Sequence, residues 1–151
     1  MAETAVRDLV IERVFDAPRE VVYQAFIDPD QLSQWFGPVG WSVPRDTVEI
    51  DARVGGRQKF TMVNDDDPSQ ASPVNATFVE VIENELLVGV ETWNDPELGE
   101  VEMTARFELH DEGDGRTRLV ITQGPYREEI VEMAREGWES SFTKLVTLLA
   151  G

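Results

Sequence analysis

Few residues in this chain are equipped for chemistry. There is no cysteine and a single histidine, His110, which excludes thiol catalysis, disulfides, an iron–sulfur cluster and a multi-histidine metal site within one chain. His110 stands where a strand enters the acidic turn Asp111-Glu112-Gly113-Asp114-Gly115, a place that reads as solvated rather than catalytic. Asp65-Asp66-Asp67 has the charge for a divalent cation but not the spaced ligands and fixed turn of a calcium loop, so it reads as a solvated loop. No serine lies in a nucleophile-elbow sequence. What remains is a set of ionisable residues on stretches of strand character: Arg45, Glu80, Glu91 and Arg106. Any of them that points inward is desolvated and needs a partner or a shifted pKa. Glu91 alternates in phase with Trp93, yet Leu86 to Val90 offers apolar residues to both faces, so its direction stays open. Its partner would be Arg106 or Tyr126, and a general acid–base role would rest on it. The sequence assigns no catalytic residue, no metal and no cofactor.

A second group suits binding better than reaction. In DPDQLSQWFGPVGW, Trp35, Phe36 and Trp41 fall within seven residues, among Gly37, Pro38 and Gly40. Each such ring hides about 150–250 Å², so a turn does not leave three of them in water without a reason. They form a cap that either seals the core or lines an entrance, sealing being the plainer reading. Near the other end, Ala134, Gly137 and Ser141 occupy the apolar sector of a helix that would otherwise favour Leu or Ile. Glycine there costs about 1 kcal/mol against alanine. Close approach of a strand backbone and a cavity alongside are the two explanations, and both can hold along one helix. Trp93 and Trp138 read as core or as a ligand platform, and Met62, Met103 and Met133 as adaptable lining if a pocket exists. The candidate ligand-binding set is Trp35, Phe36, Trp41, Phe60, Met62, Phe78, Glu91, Trp93, Met103, Phe107, Gly137, Trp138 and Ser141.

These residues need elements to hold them. Val6 to Phe15 reads as a strand, and Asp16-Ala17-Pro18 as the start of a helix with Asp16 as N-cap. Asp28-Pro29-Asp30-Gln31 starts a second, short helix, with Gln31 placed for a capping box, that stops at Gly37-Pro38. The period then changes to two. Strands are expected around Val48 to Ala52, over Arg57 to Val63 after the Gly55-Gly56 turn, and over Val74 to Ile82, Leu86 to Trp93, Val101 to Leu109 and Arg116 to Gln123. Asn64 to Pro73 is a polar loop, and Asp114-Gly115 a hairpin turn. Val101, Met103, Ala105, Phe107 and Leu109 face one way, in the cleanest alternation of the chain. The last element, Pro125 to Ala150, holds a helix of about 23 residues and about 34 Å with Ile130, Ala134, Trp138, Ser141, Leu145, Leu148 and Leu149 on one face. That stripe must be buried, and the apolar face of an antiparallel sheet is the large partner available.

At 151 residues the chain has the size of one domain, 1–151. Its opening lacks a leader pattern and no apolar run approaches the roughly 20 residues of a membrane span, so a cytoplasmic protein away from membranes is expected. The formal charge is −17, from 30 carboxylates against 13 cations of which only two are lysine. Such a field repels nucleic acid and anionic lipid. It reads as a solubilising surface, with adaptation to high salt or a cationic partner surface as the sharper alternatives.

The order strand, two helices, about six strands and one long helix, with its local motifs, resembles the START-like helix-grip superfamily (SRPBCC), which includes polyketide cyclases, lipid-transfer domains and pollen allergens. More closely it is similar to the branch homologous to the C-terminal domain of the Hsp90 ATPase activator. The matching pieces are VFDAPREVVYQAFIDPDQLSQWFGP, VGGRQKF, ENELL and EGWESSFTKLVTLLA. The resemblance implies an α+β fold: a curved antiparallel sheet of six to seven strands around the C-terminal helix, with two short helices after the first strand and a cavity between sheet and helix. It implies a small, largely apolar ligand held without cofactor; a cyclase- or hydrolase-type enzyme and a chaperone- or stress-linked interaction module are the alternatives. Ser72-Pro73 ahead of Val74-Asn75-Ala76, and Gly89 and Glu91, depart from the family pattern at places that shape a pocket. A chaperone partner is doubtful, because the activator also acts through a separate N-terminal domain. Homodimerisation through an edge strand or the long helix is left open.

Overall fold

The computed structural model describes residues 5–151; residues 1–4, part of the opening read as lacking a leader pattern, lie outside them. The chain runs β1 (Val6–Phe15), α1 (Arg19–Ile27), α2 (Pro29–Trp35), β2 (Trp41–Ser42), a 3-10 turn (Arg45–Thr47), β3 (Glu49–Ile50), β4 (Arg57–Asn64), β5 (Ala71–Ile82), β6 (Leu86–Asp95), β7 (Gly99–Gly113), β8 (Arg116–Arg127) and α3 (Glu128–Ala150). The strands form one antiparallel sheet in the order β1-β8-β7-β6-β5-β4-β2, with β3 beside β4. Six of the eight strands are long. The other two have two residues each, too short for period-two patterning to separate them from loop. With α3 laid across the sheet, this is the α+β helix-grip arrangement.

The ends of elements differ from the sequence reading for local reasons. Pro18, not Asp16, takes the N-cap of α1, and no side chain caps that helix. Asp28 does cap α2, its Oδ1 accepting the Asp30 N–H at 2.9 Å. A capping box cannot form, because the Asp28 N–H already donates to Gln24 O in the last turn of α1 at 2.8 Å; Gln31 Nε2 donates instead to Asp28 Oδ2 at 3.3 Å. Within Pro125 to Ala150, α3 starts at Glu128, since β8 stays paired through Tyr126 and Arg127 with the start of β1. β5 begins at Ala71, so the polar loop is shorter than expected and is tied by Asn64 and Asp67 side chains to its own backbone. Asp114 and Gly115 make the β7–β8 turn, both at positive φ.

The core is built from Leu9, Ile11 and Phe15 of β1, Val22, Tyr23 and Phe26 of α1, Leu32 and Trp35 of α2, Leu119 and Ile121 of β8, and Val131, Phe142 and Leu145 of α3. Val131 and Phe142 fall outside the stripe drawn from the sequence, while Leu148 and Leu149 are only partly buried. α3 is thus rotated so that its sealed side meets β1, β8 and the two short helices.

The Gly55-Gly56 turn hooks onto β5: Gly55 N–H donates to Phe78 O at 2.8 Å and Phe78 N–H to Gly56 O at 2.9 Å. A Cβ on Gly56 would lie 2.0 Å from Asp51 O, a backbone atom that cannot swing aside. Gly56→Ala should therefore lower stability by about 1–3 kcal/mol, the usual range for forced overpacking, visible as a lower urea midpoint with unchanged slope. An unchanged midpoint would mean that the turn relaxes freely.

Candidate functional site

Because α3 packs chiefly on β1, β8, α1 and α2, it covers one half of the sheet and stands off the other. Between it and β4–β8 lies a cavity of about 490 Å³. The sheet wall comes from alternate residues: Phe60 and Met62 on β4, Ala76 and Phe78 on β5, Gly89, Glu91 and Trp93 on β6, Met103, Ala105 and Phe107 on β7. The helix wall is Ile130, Ala134, Gly137, Trp138 and Ser141, the face of α3 beside its sealed stripe. Phe26, Phe36, Gly37 and Pro38 close one end. A volume of this order is within the range of small-molecule pockets.

The structure brings together eleven of the thirteen residues singled out for binding: Phe36, Phe60, Met62, Phe78, Glu91, Trp93, Met103, Phe107, Gly137, Trp138 and Ser141. Trp35 and Trp41 stand apart. Trp35 is fully buried, its Nε1 donating to Ala25 O at 2.8 Å, and it packs edge-on against Phe26 with ring centres 5.0 Å apart. Trp41 is half-buried in β2, paired with Asn64, and its carbonyl accepts Lys144 Nζ at 3.1 Å. Of the three rings in the opening turn only Phe36 reaches the cavity, against Phe60 at 4.7 Å and Trp138 at 5.4 Å. Met133 is a correction: at 68% exposure it lies on the outer side of α3 and lines nothing.

A Cβ on Gly137 would meet nothing within 4 Å, so no strand backbone requires glycine there; the space is cavity. Ser141 is buried, its hydroxyl donating back to Gly137 O at 3.0 Å. Trp138 Nε1 donates to Gln123 Oε1 at 2.9 Å, which fixes the indole against β8, and the ring packs edge-on with Phe36 and Phe107. Trp93 Nε1 is buried without a partner among the described residues, a cost of about 1–3 kcal/mol.

The ionisable candidates divide by strand direction. Arg45 pairs with Asp30 at the surface. Arg106 and Glu80 face each other on the outer side of the sheet, 3.9 Å apart, with Glu108 beside Arg106 at 3.2 Å. His110 follows on that strand, Nε2 3.2 Å from Glu108 Oε1. Glu91 alone turns into the cavity, where its Oε2 accepts the Asn75 N–H at 2.8 Å. Across from it, burial and then the negative charge of Glu91 push the Tyr126 hydroxyl up to about 12, so the phenol stays a neutral donor at physiological pH. Among the described residues no group of three His, Asp or Glu is placed to hold a metal, Asp65-Asp66-Asp67 included. Also among them, no helix is long and apolar enough to cross a membrane.

Sequence reasoning missed Gln58, Gln123, Ala76 and Ala105, which also line the cavity. The signal was present. Gln58 is in phase with Phe60 and Met62, and Ala105 with Met103 and Phe107, so counting every second residue regardless of polarity finds them. Gly89, Glu91, Ser72 and Pro73, the departures from the family pattern, all lie on the wall.

Close in sequence to the lining residues Trp93 and Tyr126, an ion pair ties β6 to β8. Buried Asp95 accepts the N–H groups of Glu97 and Leu98 at 2.8 and 3.0 Å, folding the β6–β7 tip, and takes Arg127 Nε at 2.8 and 2.9 Å where β8 passes into α3. Burial alone would raise the Asp95 pKa; Arg127 and the two backbone donors outweigh it and hold it below the ordinary value. A pKa lower in the folded than in the unfolded chain contributes stability fully present above about pH 4 and lost as pH falls through the folded value. Acidification below about pH 4 should thus loosen the tip, read as faster exchange of the Glu97 and Leu98 amides and a shift in Trp93 emission. Asp95→Asn should show the loosened exchange already at neutral pH.

Three solved structures share this arrangement over nearly their whole length. A protein from Chromobacterium violaceum is 28% identical, with 95% of this chain and 97% of that one covered and a TM-score of 0.83. One from Nitrosomonas europaea is 28% identical over 95% and 94%, TM-score 0.80. An AHSA1 protein from Silicibacter pomeroyi is 28% identical over 95% and 98%, TM-score 0.79. No curated protein matches the sequence. Residues 16–150 match the family model described as Activator of Hsp90 ATPase homolog 1-like protein, from just after β1 to the end of α3. The chain belongs to the Activator of Hsp90 ATPase homolog 1-like family.

Proposed function

We infer that this protein binds a small, largely apolar molecule in the cavity between the sheet and α3, without a cofactor. The observation that carries the reading is the open space at Gly137. A helix that only packed against a sheet would have a larger residue there, and about 1 kcal/mol more stability. Aromatic and thioether side chains around the space supply a surface that gains from covering an apolar ligand. The fold of this family is one known for ligand binding, which fits the reading without naming a ligand.

The interaction-module alternative needed a collapsed interior and exposed rings at Trp35 and Trp41; Trp35 is fully buried and the interior is open. The enzyme alternative loses Arg106, which faces outward. Native mass spectrometry of freshly purified protein is the direct test. A co-purifying species of a few hundred daltons that acetonitrile strips off is the expected result. No adduct, together with no uptake of an apolar dye, would count against binding.

A further inference from the structure

Among the described residues that line the cavity Glu91 is the only charged one. Its Oε2 is engaged by the Asn75 N–H, its Oε1 has no hydrogen-bond partner among the described residues, and no Arg or Lys among them lies within ion-pair distance. The carboxylate is reached by solvent through the cavity and carries its charge without a cation of the chain beside it, so a cationic ligand group can pair with it. Tyr126 is close enough to feel its charge, Trp93, Phe36 and Phe60 line the same cavity, and aromatic faces attract cations. The whole chain adds to the bias: at −17 its field concentrates cations and repels fatty-acid-like anions.

We propose that the cavity selects an apolar amine, with the ammonium group at Glu91 and the hydrocarbon body along the aromatic wall toward Gly137. This rests on the binding reading above and adds its charge class. The ammonium donates to the free Oε1, and the neutral Tyr126 hydroxyl offers it an acceptor lone pair. A carboxylate ligand of the same length would meet Glu91 with like charge, and an alcohol would form only a neutral–charged hydrogen bond.

The test uses octylamine, octanol and octanoate as a matched series in titration calorimetry with the full chain, at about 1 M sodium chloride. There the Debye length is about 3 Å and surface attraction is screened while a pair inside the cavity is screened less. The expected order is octylamine tighter than octanol by about tenfold, with octanoate weakest. Glu91→Gln, which keeps an acceptor for the Asn75 N–H, should bring the amine-to-alcohol ratio close to one. Octanol binding as tightly as octylamine to the unaltered protein overturns the amine assignment while leaving the cavity reading standing, as does a ratio unchanged in Glu91→Gln. Binding of none of the three overturns the cavity reading itself and this inference with it. Should Glu91→Gln not fold, the order measured on the unaltered protein still decides.

Discussion

Gly137→Leu should abolish ligand uptake while leaving the protein as stable as before or more so. The isobutyl group has one place to go. A Cβ at Gly137 touches nothing within 4 Å, so the side chain extends into the cavity between Trp138 and the sheet. Leucine is favoured over glycine in a helix interior by nearly 1 kcal/mol, and covering apolar surface adds to that. The melting temperature should therefore hold or rise by a few degrees. That combination separates the reading from a trivial one, because a variant that fails by unfolding shows a lower melting temperature together with lost binding. Apolar dye binding and a thermal melt on the same sample suffice. Binding at the unaltered affinity would place the ligand elsewhere.

Trp35→Ala is expected to be the most destabilising single substitution in the aromatic turn, at about 3–5 kcal/mol. Its ring is wholly buried, packs at 5.0 Å on Phe26 and 5.2 Å on Phe36, and its Nε1 satisfies Ala25 O. Removing it leaves a void behind the two rings that face the cavity, and a carbonyl without its donor. Against a typical total of about 5–15 kcal/mol this is a large share. Trp41→Ala, at a half-buried position in a two-residue edge strand, should cost only about 1 kcal/mol. Urea midpoints of the two variants make the comparison. Equal losses would contradict the division of labour between the rings, in which Trp35 backs the cavity, Phe36 lines it and Trp41 braces the edge.

Long elements were legible in the sequence because their patterns are local. Val101 to Leu109 alternates without interruption, and β7 carries its apolar members to one side as that alternation requires. Asp28 and Gly37 mark the bounds of α2 through capping and positive φ. Less was legible where two patterns compete. Leu86 to Val90 is apolar on both faces, and the observed β6 buries Leu86, Leu87 and Val88 in succession, so no count along that strand could aim Glu91. Its direction follows from register, Glu91 opposite Met103 and Gly89 opposite Ala105, with a bulge between Phe78 and Glu80 resetting the neighbouring strand. A slip of one residue would have exchanged the faces of Glu91 and Thr92.

From its sequence alone this chain determined the family pattern, the order of elements, the hairpins and an amphipathic terminal helix with small residues in its stripe. Those features depend on residues close in sequence or on one repeating period. Tertiary structure alone decided that α3 leans on β1 and part of β8 and leaves a gap toward β4–β8, that Arg106 faces outward while Glu91 faces the gap, and that Gly137 borders space rather than backbone. Helix periodicity names a face but not what lies opposite it, because that depends on how two elements far apart in the chain are rotated and spaced.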